Sequence, residues 1–336
     1  MSIKSRKKDH IKICLNENVK FQKSNGFEKY ELKHNALVNF NFDDINLETE
    51  FLGLKLSFPI IISSITGGCD EAVKINKNLA TVAQKIGIAM SCGSQKAMIK
   101  DGRLTHSYQI RDIAPDILYV GNIGLDYLKY RVNFDKIRLA VREIEADGIF
   151  VHLNLAQELA QKEGERDFVN SVENLSDFIK FIDLPVLVKE VGFGISGKIA
   201  LKLERCGVKT IDIAGAGGIS WTKVEKFRQE DNALAERFSE WGIPSAESLV
   251  ECQSTVRLPL IASGGIYDGI SACKAIALGA DLVGIAGPLL IEANKSSEAV
   301  EKYLENYIIE LKTAMMLVGV KNLKELKNNR QAIKLI

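Results

Sequence analysis

The stretch VHLNLAQE at residues 151–158 carries four polar side chains directly behind the apolar residues GIF. They are His152, Asn154, Gln157 and Glu158. A strand inside a packed core has no use for them, because each buried polar group needs a hydrogen-bond partner. The strand therefore ends either at the protein surface or at a site that binds polar groups.

Glycines close three later apolar runs and indicate a second kind of site. GAGG spans 215–218, Gly264 and Gly265 follow PLIAS, and Gly287 follows Ala286. Backbone N–H groups that hold a phosphate must come within hydrogen-bonding distance of it, and a Cβ atom would keep them away. A single pair is more simply explained as a tight turn. Glycines at the ends of three adjacent strands favour a phosphate site.

The elements that must position these residues are short apolar runs that alternate with helix-like stretches. Eight such runs are present: FPIIISS (58–64), GIAMS (87–91), ILYVG (117–121), GIFVHLN (148–154), PVLVKE (185–190), TIDIAG (210–215), PLIASG (259–264) and LVGIAG (282–287). Runs that are apolar on both faces are typical of buried parallel strands, and eight strand–helix units predict a (β/α)8 TIM barrel. An open doubly wound sheet is the alternative.

Catalytic groups of such barrels lie where the strands end. Polar residues or glycines follow every predicted strand, and they include Thr66, Ser94, Gln95, Asn122 and Lys189. We expect a single domain over residues 1–336. It consists of an N-terminal extension (1–55), the barrel (56–295) and a C-terminal amphipathic helical segment (296–336).

A competing motif is GFGISG at 192–197, a literal G-x-G-x-x-G behind a strand and before a helix. Asp212 lies about 20 residues beyond its start, as in a dinucleotide-binding fingerprint. Lys189 and Glu190 separate the apolar run from the first glycine, however, and Asp212 lies inside its run rather than at its end. Both features are unfavourable for that fingerprint.

Composition excludes several partners. The formal net charge of +1 provides no global field for nucleic acid or an anionic membrane. No apolar stretch approaches the roughly 20 residues of a membrane span. The six cysteines form no CxxC pair, so a reducing, cytoplasmic setting is expected.

The motifs, in this order and spacing, resemble those of the type 2 isopentenyl-diphosphate Δ-isomerases, which are FMN-dependent (β/α)8 barrels. The matching segments are RKKDHI (6–11), SITGG (64–68), CGSQ (92–95), GNIG (121–124), HLNLAQE (152–158), VKEVGFGIS (188–196), DIAGAGGISW (212–221), IASGGI (261–266) and GIAGPLL (284–290). The resemblance also accounts for GFGISG as the loop after the fifth strand.

The resemblance implies a flavin site on particular residues of this chain. Those that would line FMN or hold its phosphate are Ser64, Ile65, Thr66, Ser94, Asn122, Lys189, Ile219, Gly264, Gly265, Ala286 and Gly287. An ammonium at Lys189 suits the anionic reduced flavin, because it would offset the charge that develops there. An ion pair of Lys189 with Glu190 or with another carboxylate is the structural alternative.

The resemblance also implies a substrate, isopentenyl diphosphate. Residues expected to contact it are Arg6, Lys7, His10, Ser94, Gln95, Asn154 and Gln157. Gln157 and His152 are the expected catalytic residues, and Glu158 the expected ligand of a Mg²⁺ ion bridging to the diphosphate. The reaction is a 1,3-proton shift with reduced flavin as acid and base, and NAD(P)H serves only to reduce the flavin. A homotetramer or homo-octamer is expected.

The chain departs from the family pattern at four positions. Ile219 replaces a usual threonine, Lys96 and Tyr267 stand where arginine is common, and Lys162 replaces a frequent proline. The first removes a hydroxyl near the flavin phosphate, and Lys96 exchanges a bidentate fork for a point charge.

Two other classes of function share parts of this pattern. A flavin barrel that transfers hydride would need an acid, base or cysteine in the loop after the sixth strand, where GAGGISW has none. A non-catalytic flavin- or phosphate-binding protein would keep the glycines and lose His152, Gln157 and Glu158.

Overall fold

The computed structural model describes residues 3–229, 232–329 and 331–336, and its central element is a closed barrel of parallel strands. In chain order the strands are β1 (Tyr30–Leu32), β2 (Thr49–Phe51), β3 (Leu54–Leu56), β4 (Ile60–Ile62), β5 (Ala89–Ser91), β6 (Tyr119–Gly124), β7 (Gly148–Leu153), β8 (Val186–Glu190), β9 (Thr210–Asp212), β10 (Leu260–Ser263), β11 (Leu282–Ile285) and β12 (Ile333–Leu335). The barrel consists of β4 to β11, so the eight predicted runs are confirmed as its strands.

Barrel closure depends on the pairing of β11 with β4, in which Gly284 lies opposite Ile61. An open doubly wound sheet has no such pairing, and that alternative is wrong. The segment GFGISG lies in the loop between β8 and the next helix. Asp212 is buried and accepts a hydrogen bond from Ser263 Oγ at 2.6 Å, so it is not exposed to bind a ribose.

Helices surround the barrel. They are α1 (Ile3–Asn16), α2 (Asp70–Ile86), α3 (Lys96–Lys100), α4 (Val132–Glu143), α5 (Leu155–Ala160), α6 (Ser171–Phe181), α7 (Gly197–Cys206), α8 (Trp221–Arg228), α9 (Ala233–Arg237), α10 (Ser245–Thr255), α11 (Gly269–Ala277), α12 (Gly287–Lys295), α13 (Ser297–Val318) and α14 (Leu323–Asn328). Local sequence sets several of their ends. Asp268 caps α11 by accepting from Ser271 N, and α2 ends at Gly87 in the left-handed region (φ 71°).

Two apolar layers hold the barrel together. One layer fills its interior and is built from Ile61, Ala89, Val120, Phe150, Leu187, Ile261 and Leu282, with Phe51 and Leu56 of the β2–β3 hairpin packed beneath them. The other lies between the strands and the helices. Fully burying a side chain such as Phe150 contributes about 2–3 kcal/mol. This rigid wall fixes the strand ends from which the polar side chains project.

The expected N-terminal extension places α1 against α8 and α12, beside the barrel mouth. The C-terminal segment differs from the expectation. It is helical through α13 and α14, but Ile333–Leu335 then forms β12, which pairs antiparallel with β1. Alternation is hard to recognise in a three-residue strand, and its partner lies at the other end of the sequence.

None of the helices in the described ranges combines the length and the apolar character needed to cross a membrane.

Candidate functional site

A cavity lies at the C-terminal ends of the barrel strands, beneath α1. The residues of the predicted site that line it are Arg6, Lys7, His10, Ser64, Ile65, Thr66, Ser94, Asn122, His152, Asn154, Gln157, Glu158, Lys189, Ile219, Gly264, Gly265, Ala286 and Gly287. The fold therefore brings together residues that are far apart in the sequence.

Gln95 is the one predicted site residue that the structure does not bring to this cavity. Its Nε2 donates to the carbonyl of Ala140 at 2.9 Å, and its Oε1 accepts from Asn122 N at 3.1 Å. These bonds fix the amide beneath the cavity wall, where it is 1% exposed. The expectation that Gln95 contacts substrate is therefore corrected: its geometry suits support of the β5 and β6 loops.

The stretch VHLNLAQE at 151–158 occupies the end of β7 and the first turn of α5. Asn154, Gln157 and Glu158 have helical i, i+3 and i+4 spacing, so their side chains share one face. Asn154 Nδ2 donates to Glu158 Oε1 at 2.9 Å and lies 3.5 Å from Gln157 Oε1. The amide of Asn154 thus orients both neighbours toward the cavity.

Glu158 is buried but not enclosed by other carboxylates. Its Oε2 accepts from Glu165 N at 2.7 Å. Among the described residues, no group of three or more His, Cys, Asp or Glu could hold a metal ion. A cation at Glu158 would need most of its ligands from substrate and water, which is how Mg²⁺ is commonly bound.

His152 is held in one orientation and is neutral. Its Nδ1 lies 2.9 Å from Asn122 Oδ1, which as an acceptor selects the Nδ1–H tautomer and leaves Nε2 as an acceptor. Burial lowers the pKa of His152 well below its usual value, and the charge of Lys189 adds to this effect.

Three cationic side chains line the cavity near α1. Arg6 Nη1 donates to Gln161 Oε1 at 2.9 Å, and Lys96 Nζ forms an ion pair with Asp126 Oδ2 at 2.5 Å. Lys7 has no ion pair within the described residues. Burial lowers its pKa to about 8, and the neighbouring Arg6 guanidinium contributes to this. An uncompensated buried ammonium beside a guanidinium is a favourable place for an anion.

A buried polar network anchors α1 over the mouth. His10 Nε2 lies 2.9 Å from Glu225 Oε1, and Glu225 Oε2 accepts from Arg228 Nε at 2.6 Å. Burial lowers the pKa of His10, although Glu225 opposes that shift. Glu225 cannot be recognised as a site residue from the sequence, because nothing in the surface-like pattern of α8 marks one glutamate as a partner for a residue of α1.

Lys189, at the end of β8, lines the cavity. Its Nζ donates to the carbonyl of Glu190 at 2.5 Å, and it forms no ion pair with a described residue. The carboxylate of Glu190 instead accepts from the backbone N–H groups of Val191, Gly192 and Phe193. The Lys189–Glu190 ion pair is therefore not present, and the ammonium is available to a ligand such as a flavin ring.

The glycine-lined end of the cavity has the geometry of a phosphate cradle. Gly264 and Gly265 have φ values of 98° and 77°, and Cβ atoms there would lie 2.1 and 2.4 Å from backbone oxygens. α12 begins at Gly287, where the first N–H groups of a helix have no intrahelical partner. These residues fit the phosphate of a flavin mononucleotide.

Comparisons agree with this geometry. A family model described as FMN-dependent dehydrogenase matches residues 141–333. A solved flavocytochrome b2 mutant with bound pyruvate has a TM-score of 0.71 at 19% identity, and the match covers 97% of this chain and 82% of that one. A mandelate oxidase mutant with (S)-mandelic acid gives 0.67 at 16% identity, over 97% and 94% of the two chains. Fold and site thus define a barrel of the FMN-dependent dehydrogenase class.

The chain belongs, within that class, to the isopentenyl-diphosphate delta-isomerase family. It is 44% identical over 328 residues to the isopentenyl-diphosphate delta-isomerase of Methanothermobacter thermautotrophicus, covering 97% of this chain and 92% of the relative. The Pyrococcus abyssi protein of the same name is 43% identical, with 96% and 90% covered. The Synechocystis protein of that name is 44% identical, with 96% and 93% covered.

Proposed function

We propose that this protein is an FMN-dependent enzyme that interconverts isopentenyl diphosphate and dimethylallyl diphosphate by a 1,3-proton shift. The observation that carries the proposal is that the basic wall, formed by Arg6, Lys7 and Lys96, lines the same cavity as Glu158 and the glycine cradle. Two separate anion sites in one cavity suit a nucleotide phosphate and a substrate diphosphate.

The substrate diphosphate would bind the basic wall. Arg6, Lys7 and His10 of α1 would contact it, together with Ser94 and Asn154 from the strand ends. Anchoring of His10 by Glu225 holds α1 closed, so that water is excluded from the hydrocarbon part of the substrate. Lys7 supplies an ammonium whose buried position strengthens its attraction to phosphate oxygens.

Gln157 and the neutral His152 would lie along the hydrocarbon part of the substrate. Gln157 cannot act as a strong acid or base, so we assign it to positioning or relaying the proton. His152 Nε2 can accept a hydrogen bond but carries no positive charge. Bound FMN in its reduced state supplies the proton donor and acceptor that ordinary side chains lack for an alkene.

The flavin would be held along a second set of residues. Ser64 follows β4, and its Oγ lies 2.6 Å from Oγ of Ser91 at the end of β5. Together with Ile65, Thr66, Ser94 and Asn122, Ser64 would line the ring system. Lys189 would offset the negative charge of the reduced ring. Ile219, Gly264, Gly265, Ala286 and Gly287 would surround the phosphate.

Further parts of the proposal concern the metal, the reductant and the setting. Glu158 would hold Mg²⁺ against the diphosphate, and NAD(P)H would reduce the flavin before catalysis. The cysteines at 14, 69, 92, 206, 252 and 273 are unpaired, which favours a reducing cytoplasmic setting. We also propose a homotetramer or homo-octamer.

The competing function is net hydride transfer, which the class of the family model makes reasonable. The loop after β9, IAGAGGIS at 213–220, offers no acid, base or thiol. Asp212, at the end of β9, bonds to Ser263 Oγ and Ala214 N and does not line the cavity. The loop therefore favours isomerisation.

The decisive experiment measures how much NADPH is consumed for each molecule of product. Purified protein is incubated with isopentenyl diphosphate, Mg²⁺ and limiting NADPH, and the product and remaining NADPH are measured. We expect many turnovers per NADPH, replacement of NADPH by dithionite, and deuterium from deuterated water at the former terminal alkene carbon. Consumption of one NADPH per product would establish the competing function.

Two controls accompany this experiment. Chromatography of the released flavin should give FMN, and FAD would contradict the single phosphate cradle. The Gln157→Ala variant should lower kcat much more than it raises KM. The Gln95→Ala variant tests whether Gln95 supports the β5 and β6 loops rather than contacting substrate. It should lower the stability of the protein more than it changes kcat or KM.

A further inference from the structure

The glycine cradle lacks a cation of its own. The cationic side chains that line the cavity within the described residues are those of Arg6, Lys7, Lys96 and Lys189, which lie on α1, at the start of α3 and on β8. The end formed by Ile219, Gly264, Gly265, Ala286 and Gly287 contributes backbone only. A phosphate monoester carries nearly two negative charges at pH 7, and backbone N–H groups offset that charge only in part.

The segment 19–25 of the N-terminal extension is attached to the loops of this cradle. Phe21 N donates to the carbonyl of Gly218 at 3.0 Å, and Ser220 N donates to that of Val19 at 2.9 Å. Asn25 Nδ2 donates to the carbonyl of Gly265 at 2.6 Å. Lys20, between these contacts, forms a β-bridge with Ile219. The backbone of Lys20 is therefore fixed beside the cradle.

The side chain of Lys20 is exposed and does not itself line the cavity, but its bridge partner Ile219 and the ring beneath its ammonium, Tyr267, both do. Its Nζ lies 5.0 Å from the ring centroid of Tyr267, and Tyr267 lines the cavity two residues after Gly265. A cation over an aromatic face is held by the ring electrons without losing its charge. No ion pair or side-chain hydrogen bond of the Lys20 ammonium is present among the described residues.

Two neighbouring lysines, unlike Lys20, have hydrogen-bond or ion-pair partners for their ammonium groups. Lys223 Nζ pairs with Glu240 Oε1 at 2.5 Å, and Lys23 Nζ donates to the carbonyl of Gly242 at 2.9 Å. Lys20 thus combines a fixed backbone, an unneutralised charge and a position over a residue of the cavity wall.

We propose that Lys20 supplies the positive charge opposite the phosphate of the bound flavin nucleotide, with Tyr267 positioning its side chain. Ile219 and Tyr267 contribute no charge to the cradle, and Lys20 provides it from the N-terminal extension instead. The inference rests on the assignment of FMN made above. Its consequence is selectivity for FMN over riboflavin, which has the same ring and no phosphate.

The test measures flavin binding rather than turnover. Apoprotein is titrated with FMN and with riboflavin at low ionic strength, and the quenching of flavin fluorescence gives each Kd. The Lys20→Gln variant should weaken FMN binding about fivefold and leave riboflavin binding unchanged. Lys20→Arg should keep the wild-type ratio of the two constants, and Lys23→Gln, which removes a charge from the same segment, should keep it too.

Salt dependence gives a second readout. Added KCl should weaken FMN binding to wild-type protein more than to Lys20→Gln, because the variant has lost one of the screened interactions. An equal weakening of FMN and riboflavin by Lys20→Gln would show a structural role only and overturn the proposal, as would an unchanged FMN constant. If wild-type protein binds no FMN, the proposed function fails as well; if it binds FMN and isomerises substrate while Lys20→Gln keeps its selectivity, only this inference fails.

Discussion

Burial determines the charge state of individual side chains in the cavity. His152 is neutral because it is buried near Lys189, whereas Lys7 keeps its charge only below its lowered pKa of about 8. The neighbouring thiols of Cys69 and Cys92 do not titrate in that range, because burial raises their pKa, to about 12 for Cys92. Lys7 is therefore a cavity-lining group whose charge changes at mildly alkaline pH.

Diphosphate binding should weaken as pH rises through about 8, because only the ammonium form of Lys7 attracts the anion. In the limit where binding requires that form, the Kd rises about tenfold per pH unit above the pKa. Isothermal titration with inorganic diphosphate between pH 7 and about 9.5 measures this. Lys7→Arg should bind with a nearly constant Kd over the range, since a guanidinium stays charged. The same slope in both proteins would show that another group titrates.

The same shift has a consequence for stability, with the opposite sign. The pKa of Lys7 is about 8 in the folded protein, below its ordinary value of 10.5. Between these two pH values the unfolded chain therefore binds more protons than the folded protein. The ligand-free fold therefore becomes more stable as pH rises from about 8 toward 10.5, and saturation with diphosphate should remove this trend.

Glu158→Gln should raise the Mg²⁺ concentration needed for half-maximal activity by about tenfold, because the amide keeps the shape of the side chain and loses its charge. Magnesium titration of the reaction rate measures the change, and the flavin absorption spectrum checks that the site is otherwise intact. Glu165→Gln is the matched control, since Glu165 contacts Glu158 only through its backbone N–H. An unchanged titration in Glu158→Gln would exclude a metal-binding role.

Among the elements, α1 is the one whose position decides whether the basic wall exists. Its contacts with α8 include the pair of His10 with Glu225, which is fully buried and also pairs with Arg228. Because burial lowers the pKa of His10, this contact is a hydrogen bond from a neutral imidazole to the Glu225 carboxylate, and its loss costs about 1.5–3 kcal/mol. Much of that cost can be relieved locally if α1 leaves its place.

Glu225→Ala should therefore release α1 and raise KM for the diphosphate substrate more than it lowers kcat. Hydrogen exchange of residues 3–16 should become faster, while that of the barrel strands should change little. Glu236→Ala, an exposed position on the neighbouring α9, should leave both measurements unchanged. Unaltered exchange of residues 3–16 in Glu225→Ala would show that other contacts hold α1.

The barrel could be predicted from sequence because each strand carries its own signal, an apolar run closed by glycine or a polar residue. The convergence of polar strand ends on one mouth followed from the barrel, whereas the roles of individual site residues, including those of α1, came from the resemblance of the motifs to a known family. Gln95 was misplaced because polarity at a strand end does not tell which way a side chain turns. Glu225 and the β1–β12 pair were missed because each depends on a partner distant in the chain, and only the folded structure brings the two together.

At the scale of the whole molecule, the N-terminal extension and the C-terminal segment are joined by a strand pair that lies outside the barrel. β1 and β12 pair through Tyr30 with Leu335 and Leu32 with Ile333, and Lys33 N donates to the carbonyl of Ala332 at 2.8 Å. Deleting residues 331–336 should lower the free energy of unfolding by about 3 kcal/mol, given about 1 kcal/mol for each hydrogen bond lost. Thermal unfolding followed by circular dichroism measures the loss, and the flavin spectrum at low temperature should remain that of the full chain.

Lys334→Gln is the control for that deletion. It removes the ion pair of Lys334 with Glu31, in which both side chains are more than half exposed, so it should change stability by less than about 0.5 kcal/mol. A loss in Lys334→Gln as large as that of the deletion would show that charge rather than the backbone ladder joins the two segments.

The β1–β12 pair also has a consequence for synthesis on the ribosome. A nascent chain emerges with α1 and β1 first, yet β1 has no partner until Ile333–Leu335 has been made, and α1 cannot contact α12 before residues 287–295 exist. α1 can dock against α8 only after residues 221–228 have been made, and its contacts with α12 come later still. A chain whose translation stops before that point is released with several barrel strands but with α1 undocked, so that it lacks the cover of the cavity.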